Sequence, residues 1–358
     1  MSIDMGILDE ITDTVLRFSR KGKTAKSLRD AATSSYVSCP YEIHLGDAFA
    51  WLEGREENSI QAIVTDPPYG LKEYTDIEKT KLRNGRGGVW RIPPSFDGHK
   101  RSPLPRFTVL DEADIAALRS FFARFAKQAM RVLVPGAHIM IATNPLLSQH
   151  VYVPLMDAGF EKRGEIIRLV QTLRGGDRPK NAHKEFADVS VMPRSGWEPW
   201  GLFRKPCEGR VQDNLRKWGT GGLRRVSGNS PFLDVILSSV ARGEERKIAA
   251  HPSLKPQEFM RQLVRAALPL GWGLILDPFM GSGSTVAAAT AVGYNSIGIE
   301  QDSTYFAAAQ KAIPALARLM PKTAPAAKEQ SGEMLATAKR PKAAPHRKGG
   351  RVRRGADG

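Results

Sequence analysis

Apolar positions along the chain fall into two alternating rhythms. In "YEIHLGDAFAWLEG", residues 41–54, a short run gives way to a turn at Gly46 and Asp47 and then to helical spacing, and "SIQAIV" opens a second apolar run. The pattern predicts strand, helix, strand. Apolar spacing from Glu112 to Leu133 predicts a helix closed by Pro135 and Gly136, followed by strands in "AHIMIAT" and "GEIIRLVQTL". The rhythm returns with a helix over Pro256 to Leu268, a strand over Leu274 to Leu276, an Ala-rich helix opening near Ser284 or Thr285, and a strand in "SIGIE". Such alternation predicts a doubly wound α/β fold with a mostly parallel sheet.

Four stretches break the rhythm and divide the chain. Residues 1–36 predict a helical extension, with a helix over about Ile3 to Arg17. Leu71 to Leu110 carries nine basic and four acidic residues amid scattered Gly, Pro and aromatics, the composition of a long functional loop. Residues 171–247 hold fifteen Lys or Arg against nine Asp or Glu, rich in Gly, Pro and Trp, and read as an inserted module between an α/β half over 37–170 and another over 248–318. The tail over 319–358 is basic, rich in Ala and Pro and poor in large apolar residues, which predicts disorder.

Charge narrows the partner. Lys and Arg total 53 against 37 for Asp and Glu, a formal net charge of +16, which favours a polyanion over an acidic protein or small molecule. Cys39 and Cys207 form no C-x-x-C pair and the seven histidines show no ligand spacing, so neither a disulfide framework nor a metal site is expected. No apolar run reaches ~18 residues and the amino terminus has no signal-peptide pattern, so no membrane partner is expected and the expected compartment is the cytoplasm.

Two motifs carry chemistry. "TDPPYG" ends the strand "SIQAIV", and because prolines cannot continue a ladder the chain leaves the sheet with Asp66 and Tyr69 at its carboxyl edge. By itself it is equally a proline-rich turn whose aspartate satisfies local amides. In "LILDPFMGSGSTVAAA" a strand turns through Gly281 and Gly283 into a helix, and Glu300 follows at the end of the next strand, where a carboxylate can accept both hydroxyls of a ribose. That arrangement signals an adenosine-containing cofactor. The alternatives are tight strand-to-helix packing or a dinucleotide pocket, although the third glycine of G-x-G-x-x-G is missing.

Together these residues resemble the S-adenosylmethionine-dependent amino-methyltransferases of DNA, in the permuted arrangement called the β class. That family places [D/N/S]-P-P-[Y/F/W] before the cofactor motif and an "HP-x-x-KP" segment just ahead of the cofactor strand. Here Asp66 to Tyr69, "HPSLKP" at His251 to Pro256, and "DPFMGSGST" occur in that order. The resemblance covers roughly Tyr41 to Ile313. It implies a methyltransferase (Rossmann-like) sheet, S-adenosyl-L-methionine as cofactor, double-stranded DNA as partner, and residues 171–247 as a target-recognition insert.

The resemblance also implies roles. Asp66 and the Pro67 carbonyl would accept hydrogen bonds from the target amine, Pro68 would shape the turn, and Tyr69 would stack on a base flipped from the duplex. Asp277, Pro278, Phe279, Gly281, Ser282, Gly283 and Thr285 would line the cofactor, with Glu300 on its ribose, Ser253 and Lys255 at its carboxylate end, and Asp47 near its adenine. For Lys255 the alternative is a solvated helix-start lysine, and for Asp47 a turn or cap. The Leu71 to Leu110 segment, with Trp90, Arg91 and Phe107, would close over the flipped base. Arg174, Arg178, Lys180, Arg204, Lys205, Arg224 and Arg225 are candidates for DNA contact. "DPPY" points to adenine N6, with cytosine N4 as the alternative and a non-catalytic DNA binder as a reading from another class. A homodimer and a cognate restriction endonuclease stay open as partners, since no stretch identifies an interface.

Overall fold

The computed structural model describes residues 41–68, 95–96, 99–100, 111–170, 178–179, 181–239, 241, 243–249 and 254–319. The expected N-terminal helix, most of the Leu71 to Leu110 segment, and the tail lie outside them. The strands are β1 (Tyr41–Leu45), β2 (Ile60–Thr65), β3 (Ser95–Phe96), β4 (His99–Lys100), β5 (Leu133–Ala142), β6 (Glu161–Leu169), β7 (Trp197–Arg204), β8 (Val235–Leu237), β9 (Leu274–Asp277) and β10 (Asn295–Glu300). The helices are α1 (Ala48–Glu53), α2 (Glu112–Val132), α3 (Ser148–Asp157), α4 (Val211–Trp218), α5 (Glu244–Ile248), α6 (Gln257–Ala267), α7 (Ser284–Ala291) and α8 (Ser303–Arg318). Among the described residues no helix is long and apolar enough to cross a membrane.

Eight strands form one sheet in the order β1, β10, β9, β2, β5, β7, β6, β8, and β3 pairs with β4 apart from it. All contacts within the eight are parallel except those of β7, which runs antiparallel to both β5 and β6. The doubly wound, mostly parallel sheet expected from the sequence is present. Helices cover both faces. On one, Phe122 and Phe125 of α2 and Leu155 of α3 pack with Ile63, Ile139 and Phe203 of the strands; on the other, Phe259 and Leu263 of α6 meet Val64, Met140 and Trp200. Full burial of each such side chain contributes roughly 1.5–3 kcal/mol. Helix α2 starts where a reciprocal cap predicts, Asp114 N donating to Asp111 Oδ1 at 2.8 Å and Asp111 N to Asp114 Oδ2 at 3.1 Å.

Two departures from the sequence reading have local causes. Strand β5 begins at Leu133, four residues ahead of "AHIMIAT", because Pro135 and Gly136 are absorbed within it; Gly136 adopts φ +78° and its N–H reaches the Lys205 and Pro206 carbonyls. Strand β7 comes from "WEPWGLFR", inside the stretch expected as an insert, and it lies between β5 and β6. Its Pro199 keeps its carbonyl in use, accepting from Thr143 N at 3.0 Å. Its Gly201 is required by packing, since a Cβ there would sit 2.5 Å from Cε1 of Tyr152. The stretch 171–247 therefore contributes sheet as well as surface.

Candidate active site

From β9 the chain continues to β10 on one side, and from β2 to β5 on the other, so a crevice opens between the carboxyl ends of β9 and β2. Such switch points are where open α/β sheets bind ligands. Thr65, the last residue of β2, donates its hydroxyl to Asp277 Oδ1 at 2.7 Å, tying the two strand ends together. Asp66 follows immediately. A pocket here is lined by Asp66, Lys255, Met260, Asp277, Phe279, Met280, Gly281, Ser282, Ser284 and Thr285. The structure thus brings the two motifs, some two hundred residues apart in sequence, into one cleft.

The glycine turn takes its shape from close packing. Gly281 and Gly283 have φ of +52° and +84°, and a Cβ on Gly283 would lie 2.4 Å from Ile313 Cγ1. Gly281 N donates to Glu300 Oε2 at 2.9 Å and Asp302 N to Oε1 at 2.8 Å, which orients the carboxylate and leaves lone pairs on each oxygen. Pro278 is buried, while the Phe279 ring lies 5.6 and 5.8 Å from those of Phe121 and Phe125 on α2. Burial pushes Asp277 up to about 6, against hydrogen bonds from Thr285, Thr65 and the Phe279 N–H that favour its anion. Two carboxylates, a glycine turn and the start of α7 fit a ligand that is cationic at one end and carries a ribose.

The region around Asp66 differs from expectation. Lys255, expected near the cofactor's carboxylate, lines the pocket, and its Nζ lies 3.1 Å from Asp66 Oδ2 and 3.0 Å from Glu198 Oε1. Nor is it a solvated lysine, being only 7% exposed. Its backbone is fastened to α7, Lys255 N donating to Ser284 Oγ at 3.3 Å and Gln257 Nε2 to Ser284 O at 3.0 Å. Glu198 also accepts from Trp200 Nε1 at 2.8 Å and Arg168 Nη1 at 3.1 Å. Burial alone would raise Glu198, but Lys255 and Arg168 outweigh it and carry the carboxyl down to about 2. Asp66 moves the other way. Its burial outweighs the attraction of Lys255, so its carboxyl stands above the usual aspartate range. Asp66 Oδ1 is buried and has no hydrogen-bond partner among the described residues.

Sequence reading missed Arg168 and Glu198. A signal existed for Arg168, which shares the period-two face of Ile166 and Val170 in an apolar strand, where a charge needs a partner. Glu198 carried none, because β7 itself was not read as a strand.

The expected DNA-contact residues separate. Arg204 is buried, donating to Glu161 Oε2 at 2.8 and 2.6 Å and to the Gly221 carbonyl at 2.9 Å, and Lys205 Nζ donates to Asn58 Oδ1 at 2.9 Å and the Leu133 carbonyl at 2.7 Å. Both are corrected to structural cations. Arg224 donates to the Tyr294 hydroxyl at 2.7 Å, whereas Arg178 and Arg225 are exposed. Asp47 is exposed and caps α1 by accepting from Ala50 N at 2.8 Å, the cap alternative realised. Pro67 is buried behind Asp66 and Pro68 is exposed. Tyr69, Ser253, Arg174, Lys180, Trp90, Arg91 and Phe107 lie outside the described residues. No group of three or more residues able to hold a metal ion occurs among the described residues.

The chain is 24% identical over 296 residues to the type II methyltransferase M.HindIII of Haemophilus influenzae, covering 75% of this chain and 92% of that one. The PvuII DNA methyltransferase, described as cytosine-N4-specific, superposes with a TM-score of 0.50 at 15% identity, over 81% of this chain and 92% of its own, a likeness of fold alone. The M1.HpyAVI–SAM complex gives a TM-score of 0.48 at 20% identity, over 76% and 99%. Residues 60–311 match the N6/N4 methyltransferase family of DNA methylases, and this chain belongs to that family.

Proposed function

We propose that the protein transfers a methyl group from S-adenosyl-L-methionine to the N6 amine of adenine in double-stranded DNA. The observation that carries this reading is Asp66 Oδ1, a buried acceptor with no hydrogen-bond partner among the described residues, at the switch point beside a glycine turn backed by Glu300. Adenine is chosen over cytosine N4 because the motif is "DPPY".

S-adenosyl-L-methionine, when bound, supplies an electrophilic methyl on a sulfonium. Asp277 and Glu300 offer the anionic and hydroxyl-accepting groups that would hold it, with Gly281, Ser282 and Thr285 around the turn. An exocyclic amine is a poor nucleophile because its lone pair is delocalised into the ring. Asp66 Oδ1 accepts one amine hydrogen and the Pro67 carbonyl the other, drawing the nitrogen toward tetrahedral geometry with its lone pair free. Orientation is the principal contribution. Once the nitrogen is alkylated it sheds a proton, and Asp66, made more basic by burial, is placed to take it. The base must leave the duplex, which costs a few kcal/mol, and Tyr69 is the residue assigned to receive its face. Arg178 and Arg225 are the exposed cations assigned to phosphate.

The test is incubation with methyl-labelled donor and unmethylated DNA, read by nucleoside mass spectrometry, with Asp66→Ala alongside. Label in N6-methyladenine, lowered about 10³-fold in the variant, supports the proposal. Label in N4-methylcytosine keeps the chemistry and overturns the base, and unlabelled DNA overturns the activity.

A further inference from the structure

The proposed chemistry leaves Glu198 unused, yet its surroundings are unusually complete. Oε1 takes donors from Trp200 at 2.8 Å and Lys255 at 3.0 Å, and Oε2 takes Arg168 at 3.1 Å. Arg168 is itself fixed, donating to Ser238 Oγ at 3.0 Å and the Ser239 carbonyl at 2.6 Å, with its guanidinium 5.3 Å from the Phe259 ring centre. Arg168, Glu198, Lys255 and Asp66 thus alternate in sign across three strand ends and the segment before α6. A purely stabilising role accounts poorly for this. Buried charge sets are commonly no more stable than the apolar residues that can replace them. This one also ends on a carboxylate oxygen that has no hydrogen-bond partner among the described residues.

Lysine is the pliant member, a point charge on four rotatable bonds. Without Glu198 its ammonium has one charged anchor fewer and more accessible rotamers. Held also by Glu198, it engages Asp66 Oδ2 and leaves Oδ1 without a hydrogen-bond partner among the described residues.

We propose that Glu198 is a positioning residue for methyl transfer: acting through Lys255, it fixes the Asp66 carboxylate with Oδ2 engaged and Oδ1 presented to the target amine. Arg168 and Trp200 in turn hold Glu198. The inference rests on the reading of Asp66 as the acceptor of that amine.

Methyl transfer is measured for the wild type, Glu198→Gln and Glu198→Asp, each also in an Asp66→Asn background, with donor affinity by calorimetry and thermal melting as folding controls. Glu198→Gln is expected to lower kcat about 10- to 100-fold, to leave the KM for DNA and the donor affinity unchanged, and to cost nothing further once Asp66 is Asn. Wild-type kcat in folded Glu198→Gln, a change confined to KM, or equal losses in both backgrounds overturns the inference while the reading of Asp66 stands. Transfer absent from the wild type overturns that reading and this inference with it. Glu198→Asp keeps the charge but draws it back by one methylene, so should the Gln variant fail to fold, the Asp variant decides: a smaller loss in kcat supports the inference and an unchanged kcat ends it.

Discussion

Strands β6 and β7 carry two cross-strand arginine–glutamate pairs that invite comparison. At the amino end of β6, Glu161 faces Arg204; at its carboxyl end, Arg168 faces Glu198, with the two residue types exchanged between the strands. The first pair is closed. Arg204 spends its donors on Glu161 and the Gly221 carbonyl, and beyond them, among the described residues, Glu161 meets only the exposed Arg163, at 3.9 Å, on its way to solvent. The second is open, passing through Lys255 to Asp66 and ending on an unsatisfied oxygen. Similar side chains on one ladder therefore serve different purposes, and the difference lies in what the glutamate meets next. A buried polar atom left without a partner costs free energy, and this one lies at a strand's carboxyl edge, where open α/β sheets bind ligands.

The strongest break in this comparison is Lys255→Met. It leaves Asp66 and Glu198 facing each other without their shared cation, and a destabilisation of about 3–5 kcal/mol is expected in chemical denaturation, together with loss of methyl transfer. Arg204→Met, at the closed pair, should cost about 1–2 kcal/mol, the lower figure because Glu161 reaches solvent, while transfer per folded molecule stays unchanged. Equal damage to activity from both substitutions would erase the distinction.

The smallest effect expected is on pH dependence. Asp66 accepts a hydrogen from the amine only as the anion, and its folded pKa is raised, so kcat should fall on the acid side at a pH above the ordinary aspartate range. Glu198, held at about 2, stays ionised through that window. In stability its sign is the usual one for a depressed carboxyl, a contribution present above about 4.5 and lost as pH falls toward 2. Asp277, raised to about 6, opposes this, disfavouring the fold as pH climbs from 3.8 to that value. A pH–rate profile beside pH-dependent unfolding separates Asp66 from the other two carboxylates.

Much of this arrangement was legible in the chain. Strands β2, β9 and β10 and helices α2, α6 and α7 follow the apolar periodicity within a residue or two, since buried parallel strands and amphipathic helices write their burial into sequence. The glycine turn and Asp66 were legible because their shapes demand particular residues. Strand β7 was not, because Pro199 and Gly201 are breakers locally and are tolerated only through Thr143 and Tyr152. Arg204 and Lys205 were misassigned for a related reason. A count of cations cannot show which of them meets an acid 43 residues away.

The sheet order has a consequence for how the enzyme is made. Thr65 meets Asp277 across 212 residues, and β9 and β10 are the strands that fill the gap between β1 and β2. A nascent chain that has emerged only as far as β8 therefore has the catalytic edge without its neighbour, and closure of so distant a loop is slow. The crevice between β2 and β9 is therefore completed only once the β9–α7–β10 unit has been synthesised.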